Sequence, residues 1–254
     1  TISAGELRYA AVSLTDLAAH LDIDPRRTTA SHADIHARGL NLGSRTIDDL
    51  HLKLDGQERN HDLDLSFVAH DFTVKAHGSG SFNDGEWHAL LRQMTIVGGD
   101  ALNLTLEQPA GLWFSAAQIH VDNLCLKGSP AHLCAGGDWT PAKWGLQATA
   151  TELPMQTLTA GQSGKLDYRG IISMSLKLFG GGGHPAQGTM AARLAGAQLR
   201  HRLAGGKIEV TTLGDGNVLV TANPANVTAQ LDLDAGPQGS IKGQIDATRG
   251  DGGW

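Results

Sequence analysis

The chain has 254 residues, of which 33 are Gly, and only 5% are Phe, Trp or Tyr. This composition favours many strands and turns over packed helices. The formal charge of −6, from 20 basic and 26 acidic residues, argues against a nucleic-acid-binding surface, which needs a basic stripe.

The first 30 residues are predicted to form a connector with one short helix. Thr15-Asp16 can cap a helix from Ser13 to Leu21, and Pro25 would end it. The apolar residues recur at helical spacing: Leu14, Leu17, Ala18 and Leu21. No apolar run approaches the roughly 20 residues that span a bilayer. The start without Met and the last residues, Arg249 to Trp254, favour an internal fragment of a longer chain.

Residues 31–254 are predicted to form a repetitive β-sheet, because apolar and polar residues alternate there with a period of two. That alternation is typical of half-buried antiparallel strands. Turn signals such as Asp55-Gly56 and Asn83-Asp84-Gly85 separate the runs, and about 16 to 18 short strands fit this spacing. The apolar members of the clearest runs are Leu50, Leu52, Leu54, Leu63, Leu65, Phe67, Leu102, Leu104, Leu106, Ile172, Met174, Leu176, Leu178, Leu231 and Leu233.

One internal repeat links two parts of the chain. Gly80 is followed by Phe82 and Trp87 at the same spacing at which Gly137 is followed by Trp139 and Trp144. The repeat predicts two similar hairpins rather than two domains, although chance similarity in a strand-rich chain is the alternative.

The two cysteines lie on either side of a predicted turn at Ser129-Pro130. If the chain reverses there, Cys125 lies opposite Cys134 and Leu126 opposite Leu133. Directly opposed strand residues have Cβ atoms about 4.5–5.5 Å apart, close to the distance that a disulfide needs. The hairpin therefore favours a Cys125–Cys134 disulfide, and two free thiols are the alternative.

Motifs for catalysis, metals and cofactors are missing or incomplete. Cys125 and Cys134, with His120 and His132 nearby, fit no standard zinc finger. Gly161 to Lys165 resembles part of a phosphate-binding loop, but Leu166 stands where Ser or Thr is needed. We therefore expect no enzyme activity, no metal and no cofactor.

A sheet with one apolar face must cover that face. From the residues alone, the core of an ordinary β-sandwich is favoured over a groove for lipid. A β-sandwich or β-helix that binds carbohydrate, or acts on it, is a further alternative. It would need aromatic platforms from Trp87, Trp113, Trp139 and Trp144 around paired carboxylates.

The order of several elements resembles the middle region of the TamB family, which belongs to the AsmA-like group. The central pattern is Leu124-Cys125-Leu126, Leu133-Cys134, Gly137, Trp139, Trp144 and Leu153-Pro154-Met155. Further elements occur in the family's order along nearly all of the chain: Asp16-Leu17, Ile47 to Gly56, His61-Asp62-Leu63, Gly80 with Trp87, and Gly170 onward. No single element is diagnostic, so the resemblance depends on their order.

The resemblance implies an elongated, curved, antiparallel-rich sheet folded into a U, called a β-taco, with a hydrophobic groove. It reverses the preference for a sandwich core and assigns the fifteen apolar residues listed above to that groove. It implies a non-enzymatic protein of the periplasm that conducts phospholipid acyl chains between the bacterial membranes and supports outer-membrane biogenesis and protein assembly. An inner-membrane anchor, the TamA-like outer-membrane barrel and other membrane contacts would involve regions outside this chain. A periplasmic location would also suit the disulfide.

Overall fold

The computed structural model describes residues 1–9, 12–22, 24, 29–42, 45–69, 72–99, 102–159, 166–182, 184–203, 206–236 and 239–248. These residues form nineteen β-strands and one short helix. They divide into two compact units, Thr1–Ala116 and Ala117–Trp254. Within the described ranges, no helix is long and apolar enough to cross a membrane.

Unit 1 contains eleven of the strands found in the described residues. They are β1 (Ile2–Ala4), β2 (Leu7–Tyr9), β3 (Val12–Leu14), β4 (Asp16–Asp22), β5 (Ser31–Leu42), β6 (Arg45–Gln57), β7 (Asn60–Ala69), β8 (Phe72–Asn83), β9 (Glu86–Gly98), β10 (Leu102–Leu106) and β11 (Ala110–Phe114). Strands β4 to β9 form an antiparallel meander in chain order. At its two sides, β1 pairs with β4, β3 pairs with β5, and β10 and β11 both pair with β9.

Unit 2 contains the other eight strands and the short helix. They are β12 (Ile119–Lys127), β13 (His132–Trp139), β14 (Trp144–Pro154), α1 (Gln156–Thr159), β15 (Leu166–Gly181), β16 (His184–Arg202), β17 (Ile208–Ala222), β18 (Asn226–Asp234) and β19 (Ser240–Thr248). Each strand pairs antiparallel with the next one along the chain. The prediction of an all-β, antiparallel fold is therefore confirmed, whereas the U-shaped curvature stays a prediction.

The predicted helix from Ser13 to Leu21 is wrong, because this segment forms parts of β3 and β4. In β4, Leu17, Ala19 and Leu21 occupy alternate positions opposite Ala37, Ile35 and Ala33 of β5. Leu17 and Leu21 satisfy both periodicities, and a nine-residue helix is marginal without tertiary packing. Hydrogen bonding to β5 stabilises the extended conformation of this segment. Pro25 lies outside the described residues, and the predicted division of the chain at residue 30 stays a prediction.

The internal repeat corresponds to two equivalent hairpin ends, as predicted. Phe82 is the direct partner of Trp87 in the β8–β9 pair, and Trp139 is the direct partner of Trp144 in the β13–β14 pair. In the first copy, Gly80 makes room for an aromatic side chain. A Cβ atom on Gly80 would lie 3.0 Å from Trp87 Nε1.

Candidate apolar binding face

In unit 2, the strand register aligns apolar side chains into rows that cross the sheet. Directly paired residues point to the same side of a sheet, and successive residues along a strand point to opposite sides. One row consists of Leu126, Leu133, Ala150, Met174, Ala192, Val218 and Leu231. The neighbouring row on the same side consists of Leu124, Ala135, Ala148, Leu176, Met190, Val220, Ala229 and Ile245. We call this side the apolar face of unit 2.

Unit 1 has an equivalent face. One row consists of Leu17, Ala37, Leu50, Phe67, Val74, Ile96 and Leu104. A second consists of Ala19, Ile35, Leu52, Leu65, Ala76 and Met94. We call this side the apolar face of unit 1.

All fifteen residues predicted to line a groove lie on one of these two faces. Unit 1 holds the nine between Leu50 and Leu106, and unit 2 holds the six between Ile172 and Leu233. Their contact with lipid stays a prediction, but the side of the sheet they share is an observed property of the register.

Much of this apolar surface is accessible. Of the fifteen predicted residues, only Leu104 is buried, and Leu231 is 39% exposed. The other thirteen are half-buried. Other members of the same faces are more open, such as Leu146 at 41% and Ile245 at 70%. In the interior of a sandwich, a facing layer would bury such side chains at close-packed density. These faces therefore leave apolar surface that another molecule can cover.

The opposite face of unit 1 carries cross-strand histidine–carboxylate pairs that the sequence analysis did not identify. Four described pairs lie on strands β5 to β8: His32–Asp55, His36–Asp49, His51–Asp34 and His77–Asp64. His51 Nε2 lies 2.9 Å from Asp34 Oδ1, and Lys53 Nζ lies 3.8 Å from Asp34 Oδ2. The hydrogen bond to His51 is the main cause that holds the pKa of Asp34 below its usual 3.8, and the charges of His51, Lys53 and His32 add to the effect. These pairs place charged groups on this side of the sheet, opposite the apolar face of unit 1.

The predicted cysteine hairpin has the expected register. Cys125 is the direct partner of Cys134, and Leu126 is the direct partner of Leu133. The structure joins the two sulfur atoms as a disulfide on the side of the sheet opposite Leu124 and Leu126. His132 lies beside this bond. One of its ring nitrogens and the two sulfur atoms all lie within 4.8 Å of one another, a spacing at which such atoms could hold a metal ion. Because the sulfur atoms are bonded to each other, neither is a thiolate that could bind a metal ion.

A cavity at one end of the apolar face of unit 1 was not predicted. It has a volume of about 610 Å³, and its lining includes Leu54, His61, Phe82 and Trp87. Within the described part of the chain, His61 is the buried polar side chain, with 5% exposed. Its position two residues before Leu63 places it in the apolar phase of β7, a signal that was visible in the sequence.

The four tryptophans named for carbohydrate binding occupy different surroundings. The Trp87 and His61 rings are nearly parallel, with centroids 6.2 Å apart, and the indole Nε1–H of Trp87 donates a hydrogen bond to His61 Nε2. Trp113 lies edge-on to the ring of His88. Trp139 and Trp144 are direct partners on the β13–β14 hairpin. Of these, Trp87 lines the cavity just described, which also includes the acidic residues Asp24 and Glu58. Carbohydrate binding stays an untested alternative.

A family model described as "TamB, N-terminal domain" matches residues 1–252. The match covers almost the whole chain and agrees with the family resemblance found in the order of the sequence elements. Its description names the N-terminal domain of that family rather than the middle region. Searches of curated proteins and of solved structures found no match.

Proposed function

Because the chain belongs to the TamB family, we propose that its apolar faces shield the acyl chains of phospholipids during their passage through the periplasm. The observation that supports this proposal is the pair of continuous aliphatic faces whose large side chains keep accessible surface. The family also implies association with TamA and with membranes, which we carry over to this chain as part of the proposal.

The energetics of the faces suit an acyl chain. Each methylene transferred from water to an apolar surface gains about 0.8 kcal/mol. Eight strands in unit 2, about 4.8 Å apart, give rows about 34 Å long. One leaflet of a bilayer has a hydrocarbon depth of about 15 Å, half of the roughly 30 Å core. An acyl chain that spans this depth in a bilayer can therefore lie wholly on this face.

The side chains of the faces also suit movement along them. Leu, Ile, Val, Met and Ala offer apolar contact without fixed hydrogen bonds, so a lipid chain finds similar affinity at successive positions. The disulfide at Cys125–Cys134 fits an oxidising compartment such as the periplasm. The proposal is thus a shielding and conducting role without a chemical step.

The test uses a photo-crosslinking amino acid placed on either side of one strand. Leu176 lies on the apolar face of unit 2, and the adjacent Lys177 is exposed on the other side. We expect lipid adducts, identified by mass spectrometry, from position 176 and not from position 177. Equal yields at the two positions would contradict the proposal.

A pair of charge substitutions provides the matched control. Leu146 and Phe179 have similar exposure, 41% and 45%, but Leu146 is on the apolar face and Phe179 on the opposite side. Because an ionised carboxylate is costly to place against hydrocarbon, Leu146→Asp should reduce the adducts at position 176. Phe179→Asp should leave them unchanged. The same reduction in both variants would show that the effect is not specific to the face.

A further inference from the structure

The β13–β14 hairpin places two tryptophans at one end of the apolar face of unit 2. Trp139 and Trp144 are direct partners next to the turn, two positions beyond the pair Gly137 and Leu146 on the same side of the sheet. Trp144 is also the direct partner of Gly180 on β15. A Cβ atom on Gly180 would lie 2.9 Å from Trp144 Cζ2, so this glycine lets the indole ring lie against β15. The Trp144 ring therefore has a defined place at this end of the face.

The exposure of the apolar face changes along these strands. At the tryptophan end, Trp139 is 39% exposed and Leu146 is 41% exposed. Towards the other end, Leu126 is 6% exposed, and Leu153, the direct partner of Ile172, is 5% exposed. The face thus has an open end at the tryptophans and a closed end at Leu126 and Leu153. A lipid headgroup must stay in water, whereas its hydrocarbon gains most where water is excluded.

The distance between the two ends suits one acyl chain. Ala150, in the same row as Leu126, lies six positions after Trp144 on β14. At about 3.3 Å per residue, the tryptophans and that row are about 20 Å apart. The hydrocarbon depth of one bilayer leaflet is about 15 Å, half of the roughly 30 Å core. A chain that starts at the tryptophans therefore ends near the closed end.

The turn between β13 and β14 adds a cation to the open end. The N–H of Thr140 donates to the carbonyl of Lys143 at 2.7 Å, and the N–H of Lys143 donates to the Thr140 hydroxyl at 3.1 Å. Lys143 is exposed in this ordered turn, next to Trp144. Tryptophan rings favour the boundary between apolar and wet surroundings, where long lysine side chains keep their ammonium in water. An ammonium also forms charge-assisted hydrogen bonds with phosphate. The open end therefore matches the phosphate and ester region of a phospholipid.

We propose that a phospholipid on the apolar face of unit 2 lies with its phosphate beside Lys143 and its ester region against Trp139 and Trp144. Its acyl chains extend along the strands towards Leu126 and Leu153. This inference rests on the proposed function and adds the orientation of the lipid on the face.

The orientation is tested with two lysophospholipids that differ only in the position of one photoreactive diazirine. In one lipid the diazirine lies next to the ester, and in the other it lies near the methyl end of the chain. After illumination with the intact chain, the modified residues are identified by mass spectrometry of peptides. We expect several-fold more adduct from the first lipid at residues 137–146, and several-fold more from the second around Leu126, Ala150 and Leu153.

A charge substitution tests the phosphate contact. Lys143→Gln should weaken binding of a lysophosphatidylglycerol about two- to fivefold, the range of an exposed ion pair. Its affinity for a monoacylglycerol with the same chain, which lacks the phosphate, should stay unchanged. Both affinities are measured by displacement of an uncharged fluorescent alkyl probe. The matched control is Lys177→Gln, which removes an exposed positive charge from the opposite side of β15 and should alter neither affinity.

Each other result overturns a defined part of the proposal. Adducts at exchanged ends would reverse the orientation, and the same distribution for both diazirine lipids would reject a fixed orientation. Both results leave the lipid-shielding function in place. Equal weakening in Lys143→Gln and Lys177→Gln would reduce the effect to general charge and reject the phosphate contact. If neither diazirine lipid labels the apolar face and neither competitor displaces the probe, the proposed function fails together with this inference.

Discussion

Truncation of two leucines in one row tests whether the apolar face of unit 2 is open where the structure leaves it open. Leu126 and Leu231 lie in the same row, at opposite sides of seven consecutive strands. Leu126 is 6% exposed and Leu231 is 39% exposed. The two substitutions, Leu126→Ala and Leu231→Ala, remove the same atoms from the same side of the same unit.

The expected costs differ because only one site leaves a cavity. At Leu126 the lost transfer energy and the cavity together cost about 3 kcal/mol, within the usual range of about 2–5 kcal/mol for a buried leucine. At Leu231 solvent reaches the side chain already, so the loss is part of the transfer energy alone, about 1 kcal/mol. The difference of about 2 kcal/mol corresponds to roughly a thirtyfold difference in the unfolding equilibrium.

The measurement is urea denaturation followed by tryptophan fluorescence, with Gln244→Ala as the control. Gln244 lies on the exposed opposite side of β19 and should change stability by no more than about 0.5 kcal/mol. Similar losses for Leu126→Ala and Leu231→Ala would refute the reasoning, because they would mean that a further layer covers Leu231.

Two further predictions concern the polar sides of the units. The double substitution Cys125→Ser/Cys134→Ser should lower the free energy of unfolding by about 2–3 kcal/mol, the loop-closure value for the 9-residue separation. The unmodified protein should resist thiol alkylation unless it is first reduced. Two thiols that react without a reductant would contradict the disulfide. Because the pKa of Asp34 in the folded protein lies below its usual 3.8, the stability contributed by its carboxylate is present above about pH 3.8 and is lost as the pH falls through the lower, folded-state pKa. Asp34→Asn should therefore flatten the pH dependence of unfolding in that acidic window, compared with Asp62→Asn, and an unchanged dependence would reject the His51 contact as its cause.

The family relationship was visible before the fold because it depends on the order of motifs along the chain. The cysteine hairpin, the Gly-x-aromatic repeat and the Leu-Pro segment occur in sequence, and the family model matches nearly the same extent. The hairpin register was also visible, since a turn at Ser129-Pro130 leaves one simple way to pair Cys125 with Cys134. In a hairpin, the type of turn and the length of the loop fix the register of the two strands.

Pairing with distant strands determined the secondary structure of the segment from Ser13 to Leu21. Its apolar spacing is compatible with both a helix and a strand, and pairing with β5 on one side and β1 on the other stabilises the strand. The same dependence on remote partners explains why the histidine–carboxylate pairs and the His61 cavity were not predicted. Asp34 and His51 are 17 residues apart, and His61 and Trp87 are 26 residues apart.

The sequence by itself determined which residues of a single strand share a side of the sheet. Side-chain alternation is a local property of extended backbone, so Leu50, Leu52 and Leu54 must point the same way whatever their neighbours are. Only the tertiary structure decided how far each of these side chains is covered. Burial depends on every strand that lies alongside, and this is why Leu126 and Leu231 share a row but differ in exposure.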